Sequence, residues 1–330
     1  MSGKVLVCGG AGYIGSHMVR QLVAAGFEPV VFDNLSQGHA AAVEGVPLVR
    51  GDLLDPAALA AVFAGHEFDA VYHFAALISV GDSVIAPELY YRNNVVGALN
   101  LLDAMRTAGV GRIVFSSTAA VYGNPRTDKI AETHPQAPIN PYGWSKLMME
   151  QILADHARAH GIRAVSFRYF NAAGADPGGA IGEAHDPETH LVPNILCAAL
   201  GLRPMLEIFG DDYDTSDGTC VRDYIHVNDI ASAHLAALDW MDAHEGAHVF
   251  NLGNGSGFSN LEVLEAARKV TGIDIPHRIR PRREGDAGTL VADSAKAQSH
   301  LGWRPQHSGI EEIIESAWAW HRAPKYGPFA

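Results

Sequence analysis

Apolar residues recur in two rhythms along this chain. Short, nearly unbroken runs predict strands buried on both faces: "KVLVC" (4–8), "PVVF" (29–32), "DAVYHFAA" (69–76), "RIVFSS" (112–117) and "RAVSFRYFN" (163–171). Between them the period lengthens. Ile14, Met18, Leu22 and Val23 repeat at helical spacing from Tyr13 to about Ala25, and Gly26 stops that helix. "DPAALAAVFAG" and "YYRNNVVGALNLLDAMRTAG" carry the same pattern. A further helix opens at "NPYGWSK". There Asn140 suits the N-cap and Pro141 the first helical position, and the amphipathic run continues to Gly161. Strand and helix in alternation predict an α/β fold, a Rossmann-type doubly wound parallel sheet.

The pattern changes near Asn171. "AAGADPGGAIGEAHDPETH" is polar and rich in Gly and Pro, so a long loop is expected, and long loops in compact proteins are often functional. Shorter mixed elements follow. The division is therefore 1–170 for the parallel sheet and 171–330 for a smaller, mixed α/β C-terminal lobe. That boundary is soft, because the chain is free to cross between lobes.

Composition narrows the function. The chain has 330 residues and a formal net charge of −13, which argues against nucleic acid as a partner. No apolar run reaches the ~18 residues of a membrane span, and the N-terminal apolar run is too short for a signal peptide. A cytoplasmic protein with no membrane partner is expected. Cys8, Cys197 and Cys220 are odd in number and far apart, so neither a disulfide framework nor structural zinc is expected. His185 and His190 share a loop, but no carboxylate or second histidine completes a metal-ligand pattern in sequence, and no metal site is assigned.

Candidate chemistry begins at "VCGGAGYIGS". Gly9, Gly12 and Gly15 follow a strand and open a helix, the context in which a glycine turn lets the backbone approach a pyrophosphate. Asp33 closes the second strand, where an acid binds the adenosine ribose hydroxyls, and no Arg follows in "DNLSQG" to receive a 2′-phosphate. NAD is favoured over NADP. Asp52 in "RGDLLD" is placed to reach the adenine.

In doubly wound sheets ligands sit at the C-terminal strand ends. "SSTAAVYG" brings Ser116, Ser117 or Thr118 there, and Tyr142 and Lys146 follow one helical turn apart. Oxidising a carbinol requires its proton to leave. A phenol titrates near 10, so Lys146 and a positive nicotinamide are expected to pull Tyr142 toward phenolate. Taken alone, such a Tyr–Lys pair on a helix is commonly structural. The glycine turn, Asp33 and the hydroxyl-bearing strand end give it weight.

"GGAGYIGS", "DNLSQG", "HFAA", "SSTAAVYG" and "YGWSK" together resemble the extended short-chain dehydrogenase/reductases. "RYFNAAGA", "EIFGDDYDTSDGTCVRDYIHVND", "FNLGNGSGFS" and "PRREGD" narrow the resemblance to the UDP-glucose 4-epimerase family, over nearly the whole chain. The resemblance implies an NAD-binding domain at 1–170, a UDP-sugar-binding lobe at 171–330, and C4 epimerisation of a UDP-hexose through a 4-keto sugar on tightly held NAD. Gly9, Gly12, Tyr13, Ile14, Gly15, Asp33, Asn34, Asp52, Leu53, Phe74, Ala75, Ala76, Asn93 and Phe170, with Tyr142 and Lys146, are implied to surround NAD. Tyr142 is the implied acid/base, Lys146 its electrostatic partner, and Thr118 stands at the usual catalytic serine. Thr118, Asn171, His190, Leu191, Ile208, Phe209, Arg222, Arg283, Asp286 and Leu290 are the implied substrate contacts. Arg222 and Arg283 would supply the local positive charge that a diphosphate needs.

Four positions depart from the family pattern. Thr118 keeps the hydroxyl. Ile78 replaces a cofactor-contacting Lys, and His190 replaces a substrate-contacting Asn. Leu290, intermediate in size, occupies the position that sizes the sugar pocket, which leaves UDP-N-acetylhexosamines and UDP-pentoses open as substrates. A nucleotide-sugar 4,6-dehydratase would carry Asp-Glu after the threonine; Ala119 and Ala120 argue against it. A non-catalytic NAD-binding protein would have no reason to keep Thr118, Tyr142 and Lys146 together. The family implies a homodimer through helices near 94–108 and 143–160, whose faces carry Leu99, Leu102, Leu147 and Ile152.

Overall fold

The structure, a computed structural model, describes residues 3–283 and 287–330. The first half runs β1 (Lys4–Cys8), α1 (Tyr13–Ala24), β2 (Glu28–Asp33), β3 (Leu48–Arg50), α2 (Pro56–Gly65), β4 (Ala70–His73), α3 (Val80–Ile85), α4 (Pro87–Tyr90), α5 (Gly97–Ala108), β5 (Arg112–Thr118), β6 (Lys129–Ile130), α6 (Pro141–His160) and β7 (Arg163–Tyr169). Then come β8 (Asn171–Ala173), α7 (Leu191–Ala199), β9 (Leu206–Phe209), β10 (Val221–His226), α8 (Val227–Ala243), β11 (Ala247–Leu252), β12 (Gly257–Ser259), α9 (Asn260–Thr271), β13 (His277–Arg280), β14 (Thr289–Ala292), α10 (Ala295–Leu301) and α11 (Ile310–His321).

Seven parallel strands form the main sheet in the order β11-β7-β5-β4-β1-β2-β3. Alternate strand residues point to opposite faces, and each face has its own core. Val5, Val7, Val114, Val165 and Phe167 pack with Met18 and Leu22 of α1 and Ile230 and Leu238 of α8. Leu6, Cys8, Val71, Ile113 and Phe115 pack with α2, α5 and α6 through Leu59, Leu101 and Leu153. This double covering explains why the strands read as continuous apolar runs.

At Phe170 the chain leaves this sheet. β8 pairs with β10, and β12-β10-β14-β6 complete a second sheet. The two-stranded β13-β9 pair and α7, α9 and α11 build the smaller lobe around Ile195, Ile208, Leu264 and Ile313. The chain then crosses back: α8 and β11 rejoin the large sheet, with β11 against β7. A division at 170/171 therefore does not separate the lobes, because residues 227–252 belong to the first. No alternation marks that return; β11 is held by a non-local pairing.

The run from Tyr90 to Gly109 is not one regular helix. Tyr91–Val96 forms a π-helical turn between α4 and α5. The wider turn brings Asn94 inward, where its side chain accepts from Leu77 N (2.8 Å) and donates to Leu77 O (3.0 Å) and Ser145 Oγ (3.0 Å). On the faces expected to pair two copies, Leu102 is 2 % exposed and lies in the core of its own chain. Val96, Leu99, Trp144 and Met148 are the exposed large apolar residues of that face. Among the described residues no helix is long and apolar enough to cross a membrane.

Candidate active site

The glycine turn joins β1 to α1 at the switch point between β1 and β4. Gly9 has φ +75°, and a Cβ there would lie 2.5 Å from Ala75 N. A Cβ on Gly15 would run into the Gly9 carbonyl oxygen. At Gly12 a Cβ would meet only that carbonyl, at 3.4 Å, and would otherwise project into open space. Two glycines thus serve the turn itself and the third leaves a cradle. The buried Asp33 carboxylate accepts from Ala11 N (3.0 Å) and Leu35 N (2.8 Å), bracing the turn from β2. Asn34 Nδ2 donates to Asp52 Oδ2 (2.9 Å), which joins two residues expected at the adenosine end.

After β4, Phe74 N and Ala75 N both donate to Cys8 O, which draws Phe74–Ala76 against the glycine turn. The Phe74 ring itself packs on His234 at 5.0 Å. Leu53 is a core residue, and Asn93 donates to Asn94 Oδ1 (2.9 Å) beside the π turn. The Tyr13 hydroxyl donates to Gly174 O (2.6 Å), just past β8, and its ring meets His185 edge-on. Ile14 packs against the α1 face of the core. Backbone donors at a helix N-terminus, a cradle that a Cβ would fill and a carboxylate at the end of β2 fit a dinucleotide.

Thr118, at the end of β5, places its hydroxyl beside the half-buried Tyr142 phenol. Asn140 caps α6 by accepting from Gly143 N (2.8 Å), so Tyr142 sits in the first turn and Lys146 one turn deeper. Lys146 is 2 % exposed; its Nζ donates to Ser116 O (2.7 Å) and lies 6.0 Å from the Tyr142 ring centre. Burial lowers the Lys146 pKa to about 7, with the Glu150 carboxylate opposing. Burial also raises the Tyr142 pKa, although the Thr118 hydroxyl works the other way. Of the two charges expected to draw the phenol toward phenolate, Lys146 and the nicotinamide, Lys146 by itself does not offset this burial. Both groups share one desolvated site, and burial there penalises either charge.

Beneath the pair lies a polar network that sequence reasoning missed. Glu150, one more turn along α6, forms a buried ion pair with Arg168 of β7 and accepts from Ser117 Oγ. Arg168 also donates to Tyr122 Oη (3.0 Å), which donates to Asn251 Oδ1 (2.6 Å) on β11. The signal available was the spacing 142, 146, 150 on one helix face.

On the smaller lobe, the Arg283 guanidinium stacks on Phe209 at 3.8 Å. Arg222 of β10 lies in register with Leu290 of β14 and donates to Val221 O (3.0 Å). Leu290 and Phe170 pack on one apolar cluster with Tyr122 and Ile130. Asn171 donates to Asp223 O (3.0 Å). Ile208 is 1 % exposed and packs in the small-lobe core, so any ligand contact there falls to its backbone. Leu191 opens α7 behind its N-cap His190. Asp286 lies outside the described residues. Around His190, folding brings Glu183 and Glu188 against both His185 and His190, a grouping that the spacing in sequence did not suggest.

A dinucleotide cradle facing a hydroxyl, a phenol and a buried lysine defines a nucleotide-dependent enzyme acting on alcohols. The chain belongs to the NAD dependent epimerase/dehydratase family, which it matches over residues 5–253. It is similar to a UDP-glucose 4-epimerase of Streptococcus mutans, at 55 % identity over 320 residues and 96 % of each chain. It is likewise similar to the crystal structure of UDP-glucose 4-epimerase from Brucella ovis in complex with NAD (TM-score 0.93, 48 % identity, 96 % and 97 % of the two chains). The Bifidobacterium longum UDP-glucose 4-epimerase in complex with NAD+ and UDP aligns with TM-score 0.92 at 41 % identity, over 97 % and 98 % of the chains. NAD is the cofactor of this enzyme.

Proposed function

We propose that this enzyme interconverts UDP-glucose and UDP-galactose by inverting C4. The observation that carries this reading is the Thr118–Tyr142 pair above Lys146, followed in the turn Ala119–Tyr122 by two alanines. One acid/base suffices to take and return a proton at O4. Elimination of water, as in a 4,6-dehydratase, would need further proton-transfer groups, and Ala119 and Ala120 carry none.

Tyr142 accepts the O4 proton while the Thr118 hydroxyl orients the sugar. NAD held on the Gly9–Gly15 turn and beside Asp33 would supply the hydride acceptor and donor for C4 and a positive ring that favours the Tyr142 phenolate. The 4-keto sugar then turns over about the diphosphate and presents its other face. Tyr142 returns the proton to O4 as the inverted alcohol forms. Phe209, Arg222 and Arg283 supply the ring and the charges to anchor the nucleotide, so the sugar is the loosely held part. Leu290 and Phe170 form an apolar wall beside the sugar, and UDP-N-acetylhexosamines or UDP-pentoses test its width.

In this reading the enzyme works in the cytoplasm as a homodimer, joined through the exposed Val96, Leu99, Trp144 and Met148 of the π turn, α5 and α6. The reading is tested by giving purified protein UDP-galactose without added NAD. UDP-glucose should form, while no C6-deoxy-4-keto product should appear. Absence of the 4-epimer would refute it.

A further inference from the structure

The loop that leads into α7 holds a cluster of which only His190 is an implied substrate contact; Glu183, His185 and Glu188 have no part in the epimerisation. Glu183, His185, Glu188 and His190 each offer one ligand atom, and the four atoms lie within 4.8 Å of one another. His190 Nδ1 is 2.8 Å from Glu183 Oε1 and 3.0 Å from Glu188 Oε1. His185 Nδ1 is 3.0 Å from Glu183 Oε1 and 3.7 Å from Glu188 Oε2. Both carboxylates are buried, at 5 % and 8 % exposure. Four ligands at about 2.0–2.1 Å from a tetrahedral ion stand about 3.4 Å apart. The N···O separations, 2.8 and 3.0 Å to Glu183 Oε1 and 3.0 and 3.7 Å to the two Glu188 oxygens, lie on either side of that edge length.

We propose that Glu183, His185, Glu188 and His190 form a divalent transition-metal site, best matched to zinc. Two imidazole nitrogens and two carboxylate oxygens, with no thiolate, suit Zn²⁺ among the first-row ions, whereas Mg²⁺ and Ca²⁺ prefer all-oxygen shells. The surrounding groups orient the ligands as an outer shell does. Trp320 Nε1 donates to Glu183 O (2.8 Å), and Glu188 Oε1 accepts from Thr189 N and His190 N, both at 2.7 Å. The site is structural, since the protein supplies all four ligands. It staples a loop that touches the cofactor turn on one side, where the Tyr13 ring meets His185 and His39 pairs with Ala184 O at 3.1 Å. On the other side the loop runs straight into α7 through its N-cap, His190. An ion on Nδ1 leaves Nε2 as the protonated nitrogen of His190, so that ring becomes a fixed donor. The competing description of the same four groups is a pair of histidine–carboxylate ion pairs with no ion.

The two descriptions separate by metal analysis of untagged protein purified without chelator. About one zinc per chain should survive gel filtration, and His185→Ala or Glu188→Gln should lower it at least about tenfold. Because such variants risk misfolding, stripped wild-type protein is also titrated with Co²⁺ alone. The visible d–d band of a four-coordinate ion should saturate at about one equivalent and be displaced by Zn²⁺. Less than about a tenth of an equivalent of zinc, both as purified and after equilibration with Zn²⁺, would overturn the proposal. So would a folded His185→Ala protein that holds as much metal as wild type. Neither readout depends on which sugar the enzyme accepts.

Discussion

Breaking the Glu150–Arg168 pair should cost more stability than removing both charges. The two side chains are 6 % and 2 % exposed, so neither has water to fall back on. Arg168 Nε donates to Glu150 Oε1 at 2.9 Å, its Nη2 meets Oε2, and its Nη1 holds Tyr122 Oη. Arg168→Met leaves a buried carboxylate with only Ser117 Oγ as partner. Glu150→Met leaves a buried guanidinium. Each should destabilise by about 3–5 kcal/mol, whereas the double variant Glu150→Met/Arg168→Met, apolar and similar in volume, should lie within about 1–2 kcal/mol of wild type. The coupling between the sites is therefore about 4 kcal/mol or more. Urea unfolding at saturating NAD, followed by far-UV circular dichroism, reads all four corners of the cycle. Turnover should fall in every variant, because Glu150 lies one turn from Lys146 and its charge supports the Lys146 ammonium. Single variants costing under about 1 kcal/mol, or a double variant costing the sum of the singles, would refute this account.

Three further outcomes follow from the same geometry. Tyr142→Phe should lose at least about 100-fold in turnover with its NAD content unchanged, measured by coupled assay and by nucleotide release on denaturation. Near-normal turnover would remove Tyr142 as the acid/base. Gly15→Ala should impair both folding and NAD retention, because its Cβ meets the Gly9 carbonyl rather than a movable side chain; full NAD occupancy would contradict the need for that close packing in the turn. Acid stability is set by buried imidazoles. Burial lowers His17 and His234 to about 4 and His73 and His226 to about 3, all at 0–2 % exposure. Their folded values lie below the unfolded 6.5, so the unfolded chain binds more protons as pH falls. Their contribution is complete above about 6.5 and should be lost at up to about 5 kcal/mol per pH unit on the way to pH 4. Equilibrium unfolding between pH 7 and 4.5 checks this. A flat profile would show that these rings are solvated.

Several features were legible because their causes are local. Five of the main-sheet strands, the helix that Gly26 ends and the start of α6 at Asn140–Pro141 each rest on residues a few positions apart. The glycine turn was legible for the same reason, as glycines at fixed spacing after a strand have few other uses. Asp33 followed from its place at the end of β2. These residues were enough to favour NAD and to set Tyr142 and Lys146 beside a hydroxyl-bearing strand end; among Ser116, Ser117 and Thr118, the family resemblance singled out Thr118.

What required the tertiary structure depends on partners far apart in sequence. The return of 227–252 to the main sheet is a pairing of β11 with β7, and no local period announces it. The Glu150–Arg168–Tyr122–Asn251 network draws on α6, two strands and a turn, so its members look unrelated in sequence. The proton affinities of Tyr142 and Lys146 are set by how deeply both are buried, which spacing does not reveal. Glu183, His185, Glu188 and His190 lie within one loop, yet only the folded path of that loop turns their side chains toward a common point. Periodicity and capping are written into neighbouring residues; burial and convergence belong to the packed chain, because water is excluded only once distant elements meet.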